Sequence, residues 1–199
     1  MRTLVIGSTG IIGSAVAAAL EDGGHEVVRA SRSDGIRVDM EKPGTIDTLF
    51  ATVGEVDAVI AVAASGRLAP LLTATDEELF QGIEGKLLGQ VRLVRKAVGY
   101  VRDGGSIILT SGNFTEPTPG ASFGVLTNAG LDAFVRNAAI ELPRGVRLNA
   151  VSPGWVRETL VKLGMDGDGG TPASVVARAY VELATGNATG RTVFPTALV

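Results

Sequence analysis

The run Gly7-Ser8-Thr9-Gly10-Ile11-Ile12-Gly13 lies between an apolar stretch at residues 3–6 and a segment in which Ile12, Val16, Ala19 and Leu20 recur at helical spacing. Strand, glycine turn and helix in that order leave few alternatives. The first glycine permits a sharp turn out of the strand, the second lets the main chain approach a diphosphate, and the third lets helix and strand pack closely. The helix then offers unpaired N–H groups and a partial positive charge to an anion. Gly7, Ser8, Thr9, Gly10, Ile11, Ile12 and Gly13 are therefore the expected phosphate cradle of a dinucleotide site.

The rest of the chain continues the alternation. The first helix stops at Glu21-Asp22-Gly23-Gly24, and strands are expected at 26–30 and 36–38, with a helix near 46–52. Residues 57–64 are almost wholly apolar, the pattern of a parallel strand buried on both faces. Thr75-Asp76-Glu77-Glu78 spells a capping box, and Leu79, Ile83, Leu87, Val91, Val94, Val98 and Val101 follow at intervals of three and four. That spacing predicts one long helix over 79–102, closed by Asp103-Gly104-Gly105. A strand at 106–110, a Pro- and Gly-rich loop at 111–122 and a helix over about 127–142 come next. A strand at 146–151, a helix at 172–185 and a strand at 191–194 complete the chain. Strands and helices alternating through 199 residues predict one α/β domain over 1–199, a doubly wound parallel sheet of the Rossmann type in three layers.

Composition narrows the chemistry. Cysteine is absent, which excludes disulfides, thiol nucleophiles and thiolate metal sites. His25 is the only histidine, so a histidine triad or a two-histidine metal centre has almost nothing to work with, and no metal is expected. It lies in the turn before the second strand, remote from the strand ends where ligands bind, and reads as structural. A net charge of −3 gives no reason to expect a nucleic-acid partner. No apolar run approaches the ~20 residues that span a bilayer, so neither a membrane partner nor a leader is expected, and the cytoplasm is the default.

The end of the second strand selects the dinucleotide. A carboxylate there would bind the ribose 2′-OH of NAD, but the chain reads Arg29-Ala30-Ser31-Arg32-Ser33, with no acid until Asp34. Guanidinium beside small hydroxyl side chains suits a 2′-phosphate. NADP is the expected cofactor, with Ser31 and Arg32 at its phosphate; the competing reading has two solvated arginines on a turn.

With Val38-Asp39-Met40 after the third strand, and above all Arg147-Leu148-Asn149-Ala150-Val151-Ser152-Pro153-Gly154-Trp155-Val156, the sequence resembles the short-chain dehydrogenases/reductases over essentially its whole length. The family's usual members are longer. The resemblance implies that Asp39 and Met40 sit near the adenine and that Ala63 and Ala64 line the adenosine side. It also implies that Pro153 and Gly154 bring the Val156 main chain against the nicotinamide carboxamide, with Thr159 nearby. It further implies a homodimer or homotetramer formed through the two long helices.

The departures bear on chemistry. Family members use a Tyr-x-x-x-Lys pair, because an unassisted phenol with a pKa near ~10 is a poor proton shuttle at neutral pH. Here Gly124 stands at the tyrosine position and Asn128 at the lysine position, while Lys86 occupies the place of the family's asparagine on the long helix. Asparagine and lysine look exchanged. Two readings of Lys86 stand: an ammonium serving the site, or a side chain snorkelling from the helix surface. The family's serine corresponds to Ser111 when counted from Gly124 and to Gly112 when the strand is aligned. Asn113, Thr115 and Glu116 lie on the following loop, where Glu116 is either a base or a solvated glutamate. Phe114, Phe123 and Trp155 are candidates for an apolar wall, and 164–170 stands as a short, flexible substitute for the family's substrate lid. The expected function is an NADP(H)-dependent oxidoreductase acting on a small carbonyl or alcohol, with Ser111, Lys86 and Asn113 as catalytic candidates. The alternative is a catalytically silent NADP(H)-binding sensor or interaction protein.

Overall fold

A computed structural model describes residues 1–62, 68–80 and 82–196. Seven strands form one sheet in the order β3-β2-β1-β4-β5-β6-β7, every pair parallel. They are β1 (Arg2–Ile6), β2 (Glu26–Ser31), β3 (Ile36–Arg37), β4 (Val56–Ala61), β5 (Val101–Thr110), β6 (Arg147–Val151) and β7 (Thr192–Val193). The helices are α1 (Ile11–Asp22), α2 (Pro43–Val53), α3 (Asp76–Leu79), α4 (Gln90–Ala97), α5 (Ser122–Ala138), α6 (Arg157–Lys162) and α7 (Ala173–Thr185), with a π-helical segment at Ile83–Gly89.

Alternation along each strand sends side chains to two cores. Leu4, Ile6, Val59, Ile107, Leu109 and Leu148 face a core completed by Phe50, Leu93, Leu131 and Val135 from α2, α4 and α5. Val5, Ala58, Ile60, Ile108 and Val151 face the opposite core, filled by Val16 and Leu20 of α1 and Val176, Tyr180 and Leu183 of α7. The doubly wound, three-layered reading of the sequence is borne out. Strand order reverses between β1 and β4, which opens a crevice at their carboxyl ends.

The Arg147-x-Asn149 string that carried much of the family resemblance has a structural task. Arg147 Nη1 donates to the Leu183 carbonyl at 2.9 Å and Nη2 to that of Ala184 at 3.0 Å, so a cation closes the carboxyl end of α7. Asn149 Nδ2 donates to the Ala188 carbonyl at 2.7 Å, and Oδ1 accepts from Arg191 N–H at 3.1 Å, which sets β7 beside β6.

One long helix over 79–102 is a reading the structure corrects. Phe80 ends α3, and Gly82 adopts φ 98°, a left-handed conformation open to glycine. The chain resumes as the π-helical segment, becomes α-helical at Gln90 and stops at Ala97. Val101 belongs to β5, opposite Val56, and the next paired position is Ala58 with Ser106. The extra residues bulge through Asp103-Gly104-Gly105, where a side chain at 105 would meet the Asp57 carbonyl at 2.5 Å. The apolar spacing persisted because the turn after Ala97 returns Val98 and Val101 to the same core. α5 starts at Ser122, earlier than the apolar spacing predicts, and α6 is a helix that this spacing does not mark.

Candidate active site

The glycine turn is built as its spacing requires. Gly7 has φ 85°, and a Cβ on Gly13 would stand 2.0 Å from the Gly7 carbonyl oxygen, which only glycine avoids. Gly10 is the N-cap of α1 and supplies no side-chain acceptor, so the first N–H groups of the helix are left for another partner. Ser8 takes no part in lining the crevice: its N–H and Oγ both donate to the Ala30 carbonyl, at 3.3 and 3.2 Å, fastening the turn to β2.

Two cavities meet at this turn, sharing Gly7, Gly10 and Val62. The first, about 320 Å³, runs over the carboxyl ends of β2 and β3 and is lined by Thr9, Ser31, Arg32, Ser33, Asp39 and Met40 among others. Ser31 is already saturated, donating to the Asp34 carbonyl at 2.7 Å and accepting from Ser33 and Asp34 N–H. Its role is to hold the turn that presents Arg32 and Ser33. Arg29 is held in a two-pronged pair with Glu21 of α1, Nη2 lying 2.9 Å from each oxygen. Arg32 is exposed and unpaired among the described residues, so of the two arginines it alone is available to an anion. Asp39 Oδ1 accepts from Glu41 N–H at 3.1 Å, and Oδ2 lies 3.7 Å from Lys42 Nζ. Ala63 and Ala64 lie outside the described residues.

The second cavity, about 540 Å³, lies over β1, β4, β5 and β6. Ile11, Ile12 and Gly13 border it from α1, and Pro153, Gly154, Val156 and Thr159 from the far side. Val156 forms an isolated bridge with Thr171, made by the Trp155 carbonyl and the Arg157 N–H. The Val156 N–H therefore points away from Thr171.

Lys86, Ser111, Asn113 and Asn128 share this cavity, so the structure brings together the three catalytic candidates and the exchanged asparagine. Ser111 is buried and its Oγ has no hydrogen-bond partner among the described residues; Asn128 Oδ1 is buried and likewise unpartnered among them. A side chain on Gly112 would meet Asn128 Nδ2 at 2.9 Å, so glycine leaves the Asn128 amide room beside the end of β5. A Cβ added at Gly124 would meet nothing within 4 Å, so the missing tyrosine leaves open space.

Lys86 reaches the cavity from the π-helical segment, whose widened turn is held by Gln90. The Gln90 side chain is fully buried; Nε2 donates to the Lys86 carbonyl at 2.6 Å and the Thr110 carbonyl at 3.0 Å, while Oε1 accepts from Thr110 N–H at 2.9 Å. One amide thus ties the Lys86 main chain to the end of β5, next to Ser111. Burial pushes the Lys86 ammonium down to about 8, opposed by the charge of Asp132 on α5. Gly89 lets this segment approach the turn after β3 closely, since a Cβ there would lie 2.4 Å from the Met40 carbonyl oxygen.

Neither tyrosine lines the second cavity. Tyr100 stacks on Phe50 in the core, with ring centroids 5.1 Å apart. Tyr180 is fully buried on α7; its hydroxyl lies 2.7 Å from Thr110 Oγ1, and burial pushes its phenol well above the usual range. Glu116 is exposed and lines a third cavity of about 330 Å³, beyond Phe114 and Trp155, whose rings meet edge to face at 6.0 Å. It stands apart from Lys86 and Ser111. His25 lies beside the amino terminus, Nδ1 3.4 Å from Met1 N, away from the cavities. The segment expected as a flexible lid folds back on α6: Met165 N–H donates to the Leu160 carbonyl at 2.9 Å and Gly170 N–H to that of Gly167 at 3.0 Å. No helix of the described residues is long and apolar enough to cross a membrane.

A family model described as enoyl-(acyl carrier protein) reductase matches residues 8–187. The (5R,7aS)-5-hydroxy-7a-methyl-1-oxo-2,3,5,6,7,7a-hexahydro-1H-indene-carboxyl-CoA reductase of Mycobacterium tuberculosis is 30% identical over 155 residues, covering 75% of this chain and 55% of that protein. Versicolorin reductase 1 of Aspergillus parasiticus is 29% identical, covering 77% and 69%. The chain therefore spans between about half and two thirds of the length of these two curated relatives. Among solved structures, the protein lin1944 from Listeria innocua superposes with a TM-score of 0.91 at 36% identity, covering 98% of both chains. A small-chain dehydrogenase in complex with NADPH gives 0.86 at 26% identity, covering 98% of this chain and 95% of that one. The glycine turn, the parallel sheet with its reversal beside β1, the Pro153-Gly154 edge of the cavity and the matched span agree, and the chain belongs to the short-chain dehydrogenase/reductase family.

Proposed function

We propose that this protein is an NADP(H)-dependent oxidoreductase of a small carbonyl or alcohol, working with a non-standard set of proton-handling residues. The observation that carries this reading is the pair of cavities joined at Gly7 and Gly10, one ending at the exposed Arg32 and the other holding Ser111 and Lys86. The NADPH of a structural relative supports the cofactor. The glycine turn and uncapped α1 amino end hold the diphosphate, Arg32 and Ser33 receive the 2′-phosphate, and Asp39 and Met40 border the adenosine. Val156 and Thr159 border the nicotinamide. When bound, NADP(H) supplies or accepts a hydride. Ser111 Oγ and the Asn113 amide polarise the carbonyl oxygen, and the Lys86 ammonium gives up the proton. We further read the protein as a cytoplasmic homodimer or homotetramer.

The replacement of the family's tyrosine and lysine by Gly124 and Asn128 favours a second reading, a silent NADP(H)-binding sensor. Calorimetry and turnover separate the two. NADPH is expected to bind at least ~10-fold more tightly than NADH, and Arg32→Ala to abolish that difference, as loss of a charged hydrogen bond of about 1.5–3 kcal/mol predicts. NADPH consumption with one or more members of a carbonyl panel, reduced ~100-fold or more by Lys86→Ala, supports the oxidoreductase. Tight NADPH binding with no turnover on any member leaves the sensor, and no nucleotide binding at all removes both.

A further inference from the structure

Lys86 is placed where a carbonyl compound meets an amine. Its main chain is fixed by Gln90, its side chain lines the second cavity, and its ammonium makes no hydrogen bond or ion pair among the described residues. The cavity also holds two buried atoms with no hydrogen-bond partner among the described residues, the Ser111 hydroxyl Oγ and the Asn128 amide Oδ1. The charged groups that face it are Lys162, on α6 across the same cavity, and Asp132 on α5.

The other three lysines differ. Lys96 Nζ lies 2.7 Å from Asp47 Oδ1, and that contact holds its proton more firmly. Lys42 lies 3.7 Å from Asp39 with its side chain 74% exposed, and Lys162 is exposed on α6. Desolvation without a carboxylate at contact distance is peculiar to Lys86, and it raises the neutral, nucleophilic fraction near neutral pH.

We propose that Lys86 is a carbonyl-reactive amine, a covalent capture site for small aldehydes entering the second cavity. The Nζ lone pair forms a bond to the carbonyl carbon while the C=O π bond breaks onto oxygen, and the amine proton passes to that oxygen to give a carbinolamine. Ser111 Oγ–H donates to the developing oxygen. Loss of the hydroxyl as water, with the remaining amine proton, leaves an imine at Lys86, and no oxidant or reductant is needed. The inference rests on the reading that this cavity admits carbonyl compounds, and it adds a reaction in which the same nitrogen is nucleophile instead of acid.

The test uses the intact protein at pH 8 with propanal as probe, sodium cyanoborohydride to reduce any imine formed, and mass spectrometry of proteolytic peptides. Lys86 is expected to acquire its propyl group at least ~10-fold faster than Lys42, Lys96 or Lys162, given about two pK units between its amine and an ordinary lysine. Unfolding in urea should erase the preference. Equal labelling of all four lysines in the folded protein, or a Lys86 that resists labelling, overturns the proposal. If Lys86 resists labelling while Lys86→Ala still abolishes carbonyl reduction, the amine is an acid only and the oxidoreductase reading survives. If Lys86 labels selectively while Lys86→Ala leaves turnover intact, capture stands and the proton must come from elsewhere.

Discussion

A lysine held in a cavity is a cost that depends on pH. The Lys86 ammonium titrates near 8 when folded and near 10.5 when unfolded, so the unfolded chain binds more protons between those values. Below about pH 8 both states carry the charge and the full penalty applies; above it the folded state sheds its proton, and the penalty fades until the unfolded lysine also titrates. Lys86→Met should therefore raise stability at pH 6–7 by about 1–3 kcal/mol, with the advantage disappearing between about pH 8 and 10.5. Urea unfolding at pH 6, 8 and 10 measures this, and a gain independent of pH would mean that packing, not charge, is responsible. The presence of Lys86 at the family's asparagine position was legible in the sequence. Its orientation was not, because snorkelling and burial share one helical spacing and differ only in what Gln90 does to the main chain.

Gln90 shows the same limit for an element. Its amide replaces hydrogen bonds that a regular helix would form internally, and joins the π-helical segment to β5 through Thr110. Gln90→Leu, similar in volume, should cost about 1–3 kcal/mol by leaving buried main-chain groups without partners, read as a lower urea midpoint with an unchanged m-value. A loss below about 0.5 kcal/mol would mean that water takes over the bridge. Nothing in the apolar periodicity of 79–101 marks this break; the signals present were Gly82, Gly85 and Gly89, and their reason lies in contacts such as Gly89 with Met40. The strands were easier to read, since a buried parallel strand needs only a short apolar run, and β1, β4, β5 and β6 all supply one. α6 leaves no periodic signal in the sequence because Leu160 is its single buried residue.

For the whole molecule, alternation of strands and helices made a doubly wound parallel sheet legible from end to end, while the order of its strands emerges only in the structure. Association was not legible, since it depends on which surface remains. Along α5, Val125 and Leu126 are 44% and 63% exposed, and Ala129 and Ala133 continue the same outward stripe. Two copies packed through α4 and α5 would cover it, and Ala129→Arg should convert a sedimenting dimer or tetramer to smaller species without changing NADPH affinity more than about two-fold. A wild-type protein that sediments as a monomer dismisses the interface. Trp155 is the only tryptophan in the chain, and its ring lies 6.0 Å from Phe114 on the wall between the second and third cavities. All indole emission therefore comes from that wall, and the molecule carries an intrinsic fluorophore against which nucleotide, aldehyde or a change of subunit contact near the site can be titrated without a dye.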